Sequence, residues 1–299
     1  MKKVNVLMST YNGERYLKEQ LDSILNQIGV EVDLLVRDDG STDDTIKILE
    51  DYKKNNLLDW YSGSNLKPAK SFMDLLKNSK KSDYYAFADQ DDYWEPIKLQ
   101  NALKRLEKNT SNNGKLYMSV LNVVDENLKF LYKSKIPSKV TLKNEMIKNY
   151  ATGCTMVFDN NMKEIINNIN YDYIAMHDSL IFRIALLYNS YVYIDKSSYI
   201  KYRQHNNNVL GMKADFFSIW KNRWNHFSKS ECIARKTANE FINNKDIKIS
   251  KNDYNYLNLI ANYKKNFKYK LKLLNMNIFG KEEKMVRILF KIKLIFNKI

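Results

Sequence analysis

Short apolar runs alternate with polar turns and amphipathic segments along the first third of the chain. Val4 to Met8 and Val30 to Val36 have the length and composition typical of buried strands. Residues 15–27 carry apolar side chains at helical spacing, and a further helix is expected to run to Leu49. Strand, polar turn and helix thus occur twice in succession, which predicts a parallel sheet with helical crossovers. Such sheets bind ligands at the carboxyl ends of their strands.

The pattern continues less regularly after residue 95. Pro96 to Leu106 is expected to be a helix, and Leu116 to Val124, which alternates weakly, is expected to be a strand. Two more helices are expected, a short one over Thr141 to Asn149 with Thr141 as its cap and a longer one over Ser179 to Leu187. Tyr199 to His205 is predicted to contain a strand.

A cluster of carboxylates follows the strand predicted over Tyr84 to Ala88. The chain there reads YYAFADQDDYW, with acidic side chains at Asp89, Asp91 and Asp92. Like charges at one strand end are costly unless a positive group lies beside them. Carboxylate oxygens suit Mg²⁺ or Mn²⁺, and such an ion can carry a phosphate. The alternative is a solvated acidic turn before the helix near Pro96.

The first two predicted strands also end in polar turns. Ser9 to Asn12 follows the first strand, and Asp38 to Ser41 follows the second. Because parallel strands end at the same edge of a sheet, both turns are expected to face one crevice with Asp89 to Asp92. The alternative for the two aspartates of the second turn is helix capping alone, with Ser41 or Thr42 as the cap.

Composition and charge narrow the class of protein. The chain has 299 residues, 44% of them hydrophobic, which is enough for one large α/β domain and an appendage. Of its net charge of +15, residues 211–299 hold 20 Lys/Arg against 7 Asp/Glu. Cys154 and Cys232 lie far apart, without metal-ligand or disulfide spacing, so we expect a reducing compartment. Neither a signal peptide nor an 18-residue apolar stretch is apparent, and we expect a cytoplasmic protein.

The polar segments have a recognisable order. STYNGERYLKEQLDSILNQ, LLVRDDGSTDDT and FADQDDYW, taken together, resemble the N-terminal half of family 2 glycosyltransferases with the GT-A fold. The resemblance covers roughly residues 3–210, and DDGSTDDT and DQDD are specific in combination. It implies an α/β fold with a Rossmann-like, mixed but mostly parallel sheet flanked by helices. It also implies an inverting glycosyltransferase that uses a nucleotide-sugar donor with Mg²⁺ or Mn²⁺.

The resemblance assigns roles on the donor side of the cleft. Asp39 would contact the nucleotide, and Asp91 would be the most direct metal ligand within the D-x-D element. Lys70 belongs to a segment that approaches the nucleotide before that element. The full set of donor-side residues implied in this way is Thr10, Tyr11, Asn12, Asp39, Lys70, Asp89, Gln90 and Asp91.

Two segments are assigned to the acceptor side. Ala151 to Thr155 would line the cleft, with Gly153 letting backbone approach the sugar, although an ordinary turn glycine is the alternative. His177-Asp178 opens a helix, and the resemblance implies that Asp178 is the base that takes the proton of the acceptor hydroxyl. The alternative is that Asp178 only caps the helix. The tryptophans that often follow this base in the family are here Ser179 and Leu180.

The segment YRQHNNN is a third marker. It resembles the YRQH-x-x-N signature of rhamnosyltransferases in this family, which implies a dTDP-L-rhamnose donor. Arg203 would bind a phosphate and His205 the metal or the diphosphate, and surface hydrogen bonding is the alternative for both. The QxxRW motif of processive synthases is absent.

The chain changes character from Ala214 onward. Aromatic and basic residues alternate over 216–229, and KMVRILFKIKLIFNKI over 284–299 places most of its cations on one helical face. Lys293 lies opposite that face and weakens the pattern. Basic, aromatic helices suit an anionic membrane surface, and packing on the catalytic domain or in a dimer is the alternative. Nucleic acid is disfavoured, because no nucleic-acid-binding motif accompanies the charge.

We therefore expect a GT-A catalytic domain over 1–212 and a basic, helical C-terminal region over 213–299. The expected reaction is transfer of L-rhamnose from dTDP-L-rhamnose to a growing cell-surface polysaccharide or lipid-linked glycan of a bacterial cell, at the inner membrane face. A homo-oligomer is compatible with the sequence. A UDP-hexose donor is the alternative within the class. Outside it stand a nucleotidyltransferase, disfavoured by the single glycine of STYNGERY, and a non-catalytic basic scaffold.

Overall fold

The computed structural model of the protein describes residues 1–205, 233–280 and 283–299. The chain forms two compact units. The first comprises residues 1–138, 151–168 and 176–211, and the second comprises 139–150, 169–175 and 212–299. The second unit thus takes two short segments from inside the predicted catalytic domain, and the division at residue 212 stays a prediction.

The elements of the first unit alternate between strand and helix over its first half, as the apolar pattern predicts. Its strands are β1 (Lys3–Thr10), β2 (Glu31–Asp38), β3 (Asp59–Ser62), β4 (Tyr84–Ala88), β5 (Tyr93–Trp94), β6 (Lys115–Ser119), β7 (Asn122–Val124), β8 (Phe130–Lys133), β9 (Val157–Asp159), β10 (Tyr191–Asp195) and β11 (Ile200–Arg203). Its helices are α1 (Leu17–Leu25), α2 (Thr45–Lys54), α3 (Lys67–Asn78), α4 (Lys98–Leu106), α6 (Asn160–Asn167) and α7 (His177–Leu187), with a 3₁₀ turn at Gly153–Thr155.

Seven strands form the main sheet, in the order β10-β6-β9-β4-β1-β2-β3. All neighbours are parallel except β9, which runs antiparallel to both β4 and β6. All five residues of β4 are buried, as expected for a strand covered on both faces. Thr10 pairs with Asp38, and Met8 pairs with Ala88, so β1, β2 and β4 end at the same edge of the sheet. The predicted convergence of the three polar turns is confirmed.

A smaller sheet continues from that edge, in the order β5-β11-β7-β8. Strand β11 pairs antiparallel with β5 and parallel with β7. Because β5 begins right after the D-Q-D-D segment, this pairing brings the YRQH segment beside the carboxylates. Two stretches far apart in sequence therefore meet at one strand edge.

Two sequence-based expectations for the first unit differ from the structure. The strand expected over Leu116 to Val124 is two strands in different sheets, β6 and β7, because the chain leaves the main sheet at Val120. The N-cap of α2 is Asp44 rather than Ser41 or Thr42. The Ser41 hydroxyl instead donates to the Asp38 carboxylate, which removes it from the helix end.

The second unit is helical in its described part. It contains α5 (Leu142–Glu145), α8 (Ile233–Asn243), α9 (Lys251–Asn262), α10 (Phe267–Asn275) and α11 (Lys284–Ile295). The predicted helix over 141–149 is shorter than expected, but Thr141 caps it in a capping box with Asn144 as predicted. Among the helices of the described residues, none has the length and apolar character to cross a membrane. Residues 206–208, Gly211 and the aromatic stretch over 216–229 lie outside the described residues.

Candidate active site

The turns that follow β1 and β2 hold each other through reciprocal hydrogen bonds. The Asn12 backbone N–H donates to the Ser41 hydroxyl at 2.9 Å, and the Asn12 side-chain oxygen accepts the Thr42 N–H at 2.9 Å. The Gly13 N–H donates to the Thr45 hydroxyl at 2.8 Å. Asn12 has a φ of 48°, in the left-handed region that asparagine tolerates better than most residues. Asn12 therefore shapes the turn, and its contact with a nucleotide stays a prediction.

The two aspartates after β2 lie in different environments. Asp38 accepts the backbone N–H groups of Gly40 and Ser41, each at 3.0 Å, so it holds the turn itself. Asp39 is also buried and forms an ion pair with Arg37, while its second oxygen accepts the Leu66 N–H at 3.2 Å. Neither aspartate is the N-cap of α2, which is Asp44, so the helix-capping alternative describes neither of them. The predicted contact of Asp39 with the nucleotide stays a prediction.

The middle residue of the D-x-D element connects two strand ends. Gln90 accepts the Thr10 hydroxyl at 2.6 Å and the Tyr11 N–H at 2.8 Å through one oxygen. Its amide donates back to the Tyr11 carbonyl at 3.2 Å. A Cβ at Gly13 would come within 2.5 Å of the same Gln90 oxygen, so a larger residue there would displace the Gln90 side chain. Gln90 therefore fixes the β1 turn against the end of β4.

Lys70 lies near this turn on α3 and is exposed. The next residue, Ser71, is buried and shares a hydrogen bond of 2.7 Å with the Ser9 hydroxyl. That bond joins α3 to the end of β1. The predicted approach of Lys70 to the nucleotide stays a prediction.

Asp91 lies beside the YRQH segment. One of its carboxylate oxygens is 2.8 Å from His205 Nε2, and both side chains are partly exposed. The His205 ring also lies against Tyr16, with 5.1 Å between ring centroids. The structure therefore brings together Asp91 and His205, two of the three predicted metal ligands.

Arg203 is buried and binds protein groups on three sides. Its Nε donates to the Asp91 carbonyl at 2.8 Å, and Nη1 donates to the Glu126 carbonyl at 2.6 Å. Its Nη2 pairs with the Glu19 carboxylate, and the guanidinium stacks over the Tyr16 ring. These contacts position the D-Q-D-D segment. The predicted phosphate contact of Arg203 stays a prediction.

The acceptor-side residues also reach this edge of the sheet. Helix α7 begins at His177 with Met176 as its N-cap, so the interpretation of Asp178 as a helix cap is wrong. Asp178 lies in the first turn, is 7% exposed, and accepts the Ser179 N–H at 2.6 Å. The negative charges of Asp91 and Asp178 both raise the pKa of Asp89, after burial, which is the largest cause. Asp91 and Asp178 therefore both lie close to Asp89 at this edge of the sheet.

Comparisons with known proteins agree with this arrangement. The family model of Glycosyl transferase family 2 matches residues 5–158. The chain is 32% identical over 260 residues to dTDP-rhamnosyl transferase RfbG of Shigella flexneri, covering 79% of this chain and 87% of the relative. This chain belongs to glycosyl transferase family 2.

Two further proteins are similar to this family member, one in sequence and one in structure. It is 26% identical over 227 residues to UDP-Glc:alpha-D-GlcNAc-diphosphoundecaprenol beta-1,3-glucosyltransferase WfgD of Escherichia coli, covering 74% of this chain and 83% of the relative. The crystal structure of S. aureus TarS 1–349 in complex with UDP-GlcNAc superposes with a TM-score of 0.58 at 19% identity, covering 99% of this chain and 82% of that one. The predicted GT-A fold of this glycosyltransferase is confirmed.

The glycosyltransferase has a buried polar cluster beneath the D-Q-D-D segment. Ligand atoms of Asp89, Asp92 and Cys154 lie within 4.8 Å of one another. Burial raises the pKa of Asp92 and of the Cys154 thiol well above their usual values, and the neighbouring carboxylates raise both further. Cys154 therefore stays a thiol that hydrogen-bonds to Asp89 and Asp92. Among the residues that the structure describes, these three side chains bring possible ligand atoms together. That Asp89 joins Asp91 and His205 around one ion stays a prediction.

A buried lysine accompanies that cluster. Lys98, on α4, is 2% exposed, and its ammonium nitrogen lies 3.4 Å from the centre of the Trp94 ring. Burial lowers the pKa of Lys98 to about 7, while the neighbouring Asp92 carboxyl acts in the opposite direction. Sequence analysis missed Lys98 and Cys154 as site residues, and it named Asp92 in the carboxylate cluster without giving it a role of its own. The one available signal was a lysine in the apolar stripe of α4, between Trp94 and Leu99.

The residues at this edge fit a divalent cation. Asp89 and Asp91 offer hard oxygen ligands and His205 a ring nitrogen, a set that suits Mg²⁺ or Mn²⁺. Burial is the largest cause of the raised pKa of Asp89, and the negative charges of Asp91 and Asp178 raise it further. A cation bound at Asp91 would relieve that repulsion. The donor set and its electrostatics are thus consistent with a metal at the D-x-D element.

His177 and Gly153 are packed against each other. His177 is 4% exposed, stacks on Phe72 with 4.1 Å between ring centroids, and meets Phe87 edge-on. A Cβ at Gly153 would lie 2.5 Å from His177 Nε2. Gly153 therefore makes room for an imidazole, a packing role that neither the acceptor-side prediction nor the turn-glycine alternative included. Burial lowers the pKa of His177 to about 4, so its ring is neutral near pH 7.

Proposed function

We propose that this glycosyltransferase transfers L-rhamnose from dTDP-L-rhamnose to a hydroxyl of a growing cell-surface polysaccharide or lipid-linked glycan. The observation that carries the reaction is the approach of Asp91 and Asp178 to Asp89 at one edge of the sheet, close enough for their charges to raise the pKa of Asp89 after burial. The donor rests on the RfbG relative, a dTDP-rhamnosyl transferase that is 32% identical, and on the YRQH segment.

In the proposed mechanism Asp178 is the general base. It lies in the first turn of α7 and accepts the Ser179 backbone N–H, which holds its carboxylate at this edge of the sheet. The acceptor hydroxyl oxygen forms a bond to the anomeric carbon while the bond from that carbon to the diphosphate oxygen breaks. Asp178 takes the hydroxyl proton, and the nucleoside diphosphate leaves. One displacement of this kind inverts the anomeric configuration.

Asp91 would hold Mg²⁺ or Mn²⁺, with Asp89 and His205 as further ligands. A bound cation offsets the negative charge that develops on the departing diphosphate. Gln90 and Arg203 hold the D-Q-D-D segment in place through their bonds to Tyr11 and to the Asp91 carbonyl. Asp39, with the Thr10 to Asn12 turn, would bind the nucleoside at the adjoining strand ends.

The proposed setting is the cytoplasmic face of a bacterial membrane. A lipid-linked or polysaccharide acceptor is assembled at such a surface, and the basic C-terminal third supports peripheral attachment there. The diphosphoundecaprenol acceptor in the name of the WfgD relative is consistent with this setting.

A UDP-hexose donor is the second candidate. It is favoured by the WfgD relative, which is a UDP-Glc-dependent glucosyltransferase, and by the UDP-GlcNAc complex of TarS. Both proteins are less similar to this chain than RfbG is. The donor alone distinguishes the two candidates, because the same carboxylates would serve either sugar.

Calorimetric titration of the protein with dTDP and with UDP, in Mn²⁺ and in EDTA, tests the donor and metal assignments. We expect dTDP to bind at least about tenfold more tightly in Mn²⁺, since a cation held by Asp91 would offset the negative charge of the diphosphate. Asp91→Asn should abolish that difference. Asp51→Asn, at an exposed position on α2, is the matched control and should behave as wild type. Equal dTDP affinity in EDTA and in Mn²⁺ would overturn the metal assignment.

A further inference from the structure

The last helix of the second unit exposes a continuous apolar stripe. Six apolar side chains of α11 and the residue after it are between 38% and 67% exposed: Met285, Ile288, Leu289, Ile292, Ile295 and Phe296. At about 100° per residue they fall within an arc of roughly 120°. The side chains that α11 buries, Phe290 and Leu294, lie on the opposite side. The helix thus has two apolar faces, of which one packs inside the unit and one faces outward.

Cations flank the outward face on both sides. On the helical wheel Lys284 and Lys291 lie along one edge of the stripe and Lys293 along the other. The position of Lys293 weakens a simple division into one basic and one apolar face. The buried residues Phe290 and Leu294 explain this position. They define the inward face, so Lys293 lies at the second edge of the outward stripe and both edges carry a lysine. Apolar stripes edged by lysine are typical of helices that lie in a membrane interface.

The neighbouring helix α10 adds to the exposed apolar surface. Phe267 is 70% exposed and Leu271, one turn later, is 43% exposed, and Lys268 and Lys272 beside them are exposed as well. The Lys270 ammonium donates to the Ile295 carbonyl at 2.8 Å, which joins α10 to the end of α11. Single exposed apolar residues are common on protein surfaces, but an apolar stripe on each of two joined helices is not.

The net positive charge around the stripe indicates which kind of partner covers it. Residues 264–299 contain eleven Lys/Arg and two Glu. A protein partner or a second copy of the same basic surface would need to supply compensating negative charge. An anionic bilayer offers phosphates and apolar acyl chains at adjoining depths, and it therefore matches both features of the helix.

We infer that the outward face of α11, defined by Met285, Ile288, Leu289, Ile292, Ile295 and Phe296, is the surface that inserts into an anionic lipid interface. Lys284, Lys291 and Lys293 contact lipid phosphates at its edges. The inference rests on the peripheral membrane attachment in the proposed function, and it assigns that attachment to one helix face.

Flotation of the full-length protein with vesicles tests the assignment. We expect wild type to float with vesicles of phosphatidylglycerol and phosphatidylethanolamine at low salt, and to stay behind with phosphatidylcholine. The double variant Ile288→Ser/Ile292→Ser should bind at least about tenfold more weakly, because it lacks two apolar side chains whose transfer from water into lipid favours binding. Ile28→Ser/Leu57→Ser, at exposed apolar positions of the first unit, is the matched control and should float as wild type.

Charge and insertion depth are tested separately. Lys284→Gln/Lys291→Gln should reduce binding by roughly fivefold per lysine and should weaken its dependence on salt. The difference between the fluorescence spectra of the Phe296→Trp variant and wild type should shift to shorter wavelength when anionic vesicles are added. This measurement does not require the double serine variant to fold. An unshifted difference spectrum of the Phe296→Trp variant would contradict insertion of this face.

Three results would overturn the assignment. Wild type that stays unbound with anionic vesicles at low salt would exclude a lipid partner, and full binding by the double serine variant would exclude this face. Self-association of wild type that the serine variant loses would identify a second copy as the partner. Nucleotide-sugar hydrolysis without vesicles, measured in the same variants, tests the proposed reaction independently. Loss of vesicle binding with intact hydrolysis supports the assignment.

Discussion

Carboxylates crowd the carboxyl ends of β2 and β4, and their immediate partners differ. Asp38 accepts backbone N–H groups, and Asp39 faces the Arg37 guanidinium. Asp89 and Asp92 instead have raised pKa values, because burial and like charges disfavour their ionised forms. The carboxyl groups whose ionised forms are disfavoured therefore lie in the D-Q-D-D segment, where a bound cation would stabilise their negative charge.

His177 makes folding stability depend on pH. Its pKa is lowered by burial from 6.5 to about 4 in the folded chain, so between those values the unfolded chain binds more protons. The contribution of His177 to the free energy of unfolding should therefore be fully present above pH 6.5 and be lost as the pH falls toward 4. Between pH 7 and pH 5 this contribution is about 2 kcal/mol.

Urea unfolding of wild type and His177→Leu at the two pH values measures that contribution. Wild type should lose about 2 kcal/mol more than the variant between pH 7 and pH 5, since leucine cannot take up a proton. Equal losses in both proteins would show that the ring is already solvated or charged in the folded state.

At the scale of elements, the 3₁₀ turn at Gly153–Thr155 and the start of α7 depend on one steric fit. Alanine at Gly153 would bring its Cβ within 2.5 Å of His177 Nε2 and 3.3 Å of Cε1. The ring cannot easily move away, because Phe72 and Phe87 pack against it. We expect Gly153→Ala to destabilise the protein by about 1–3 kcal/mol, as overpacked sites do.

A double-mutant cycle distinguishes this contact from a general cost of alanine. Gly153→Ala should cost at least about 1 kcal/mol less in a His177→Ala background, where the ring is absent. Gly280→Ala is the control, because a Cβ there meets nothing within 4 Å. The same cost of Gly153→Ala in both backgrounds would contradict the steric account.

The regular elements were predictable where the apolar pattern is strong. Strand β4 matches its prediction residue for residue, because five successive apolar residues leave no other choice of boundaries. The stretch 116–124 was not divisible from sequence, since its residues are apolar on both sides of Val120 and the change of sheet depends on distant partners. The N-terminal cap of α2 was mispredicted because Ser41 had a nearer acceptor in Asp38.

At the scale of the whole molecule, charge is distributed very unevenly. Residues 1–210 hold 29 Lys/Arg and 27 Asp/Glu, whereas residues 211–299 hold 20 and 7. The near-neutral part contains the acidic strand edge, so it has no large positive field to attract a diphosphate. Donor binding there should depend on a cation, while the basic part is free to interact with anionic surfaces.

The candidate site was predictable to the extent that its residues follow strand ends. Polar turns after apolar runs predicted which side chains meet at the edge of the sheet, and these turns do converge there. The donor and acceptor roles of the residues stay predictions. Lys98 and Cys154 could not be found this way, because they lie in apolar segments and only packing brings them beneath Asp92. The bonds of Arg203 to Glu19 and Glu126 also join residues far apart in the chain, which sequence spacing cannot reveal.

The most direct test of the account is the release of nucleoside diphosphate from a panel of nucleotide sugars with Mg²⁺ or Mn²⁺. We predict release of dTDP from dTDP-L-rhamnose, abolished in Asp91→Ala and reduced at least about hundredfold in Asp178→Asn, with Asp51→Asn as the unchanged control. Preference for a UDP-hexose would correct the donor and keep the mechanism. No release from any donor, together with no metal-dependent nucleotide binding, would contradict the account.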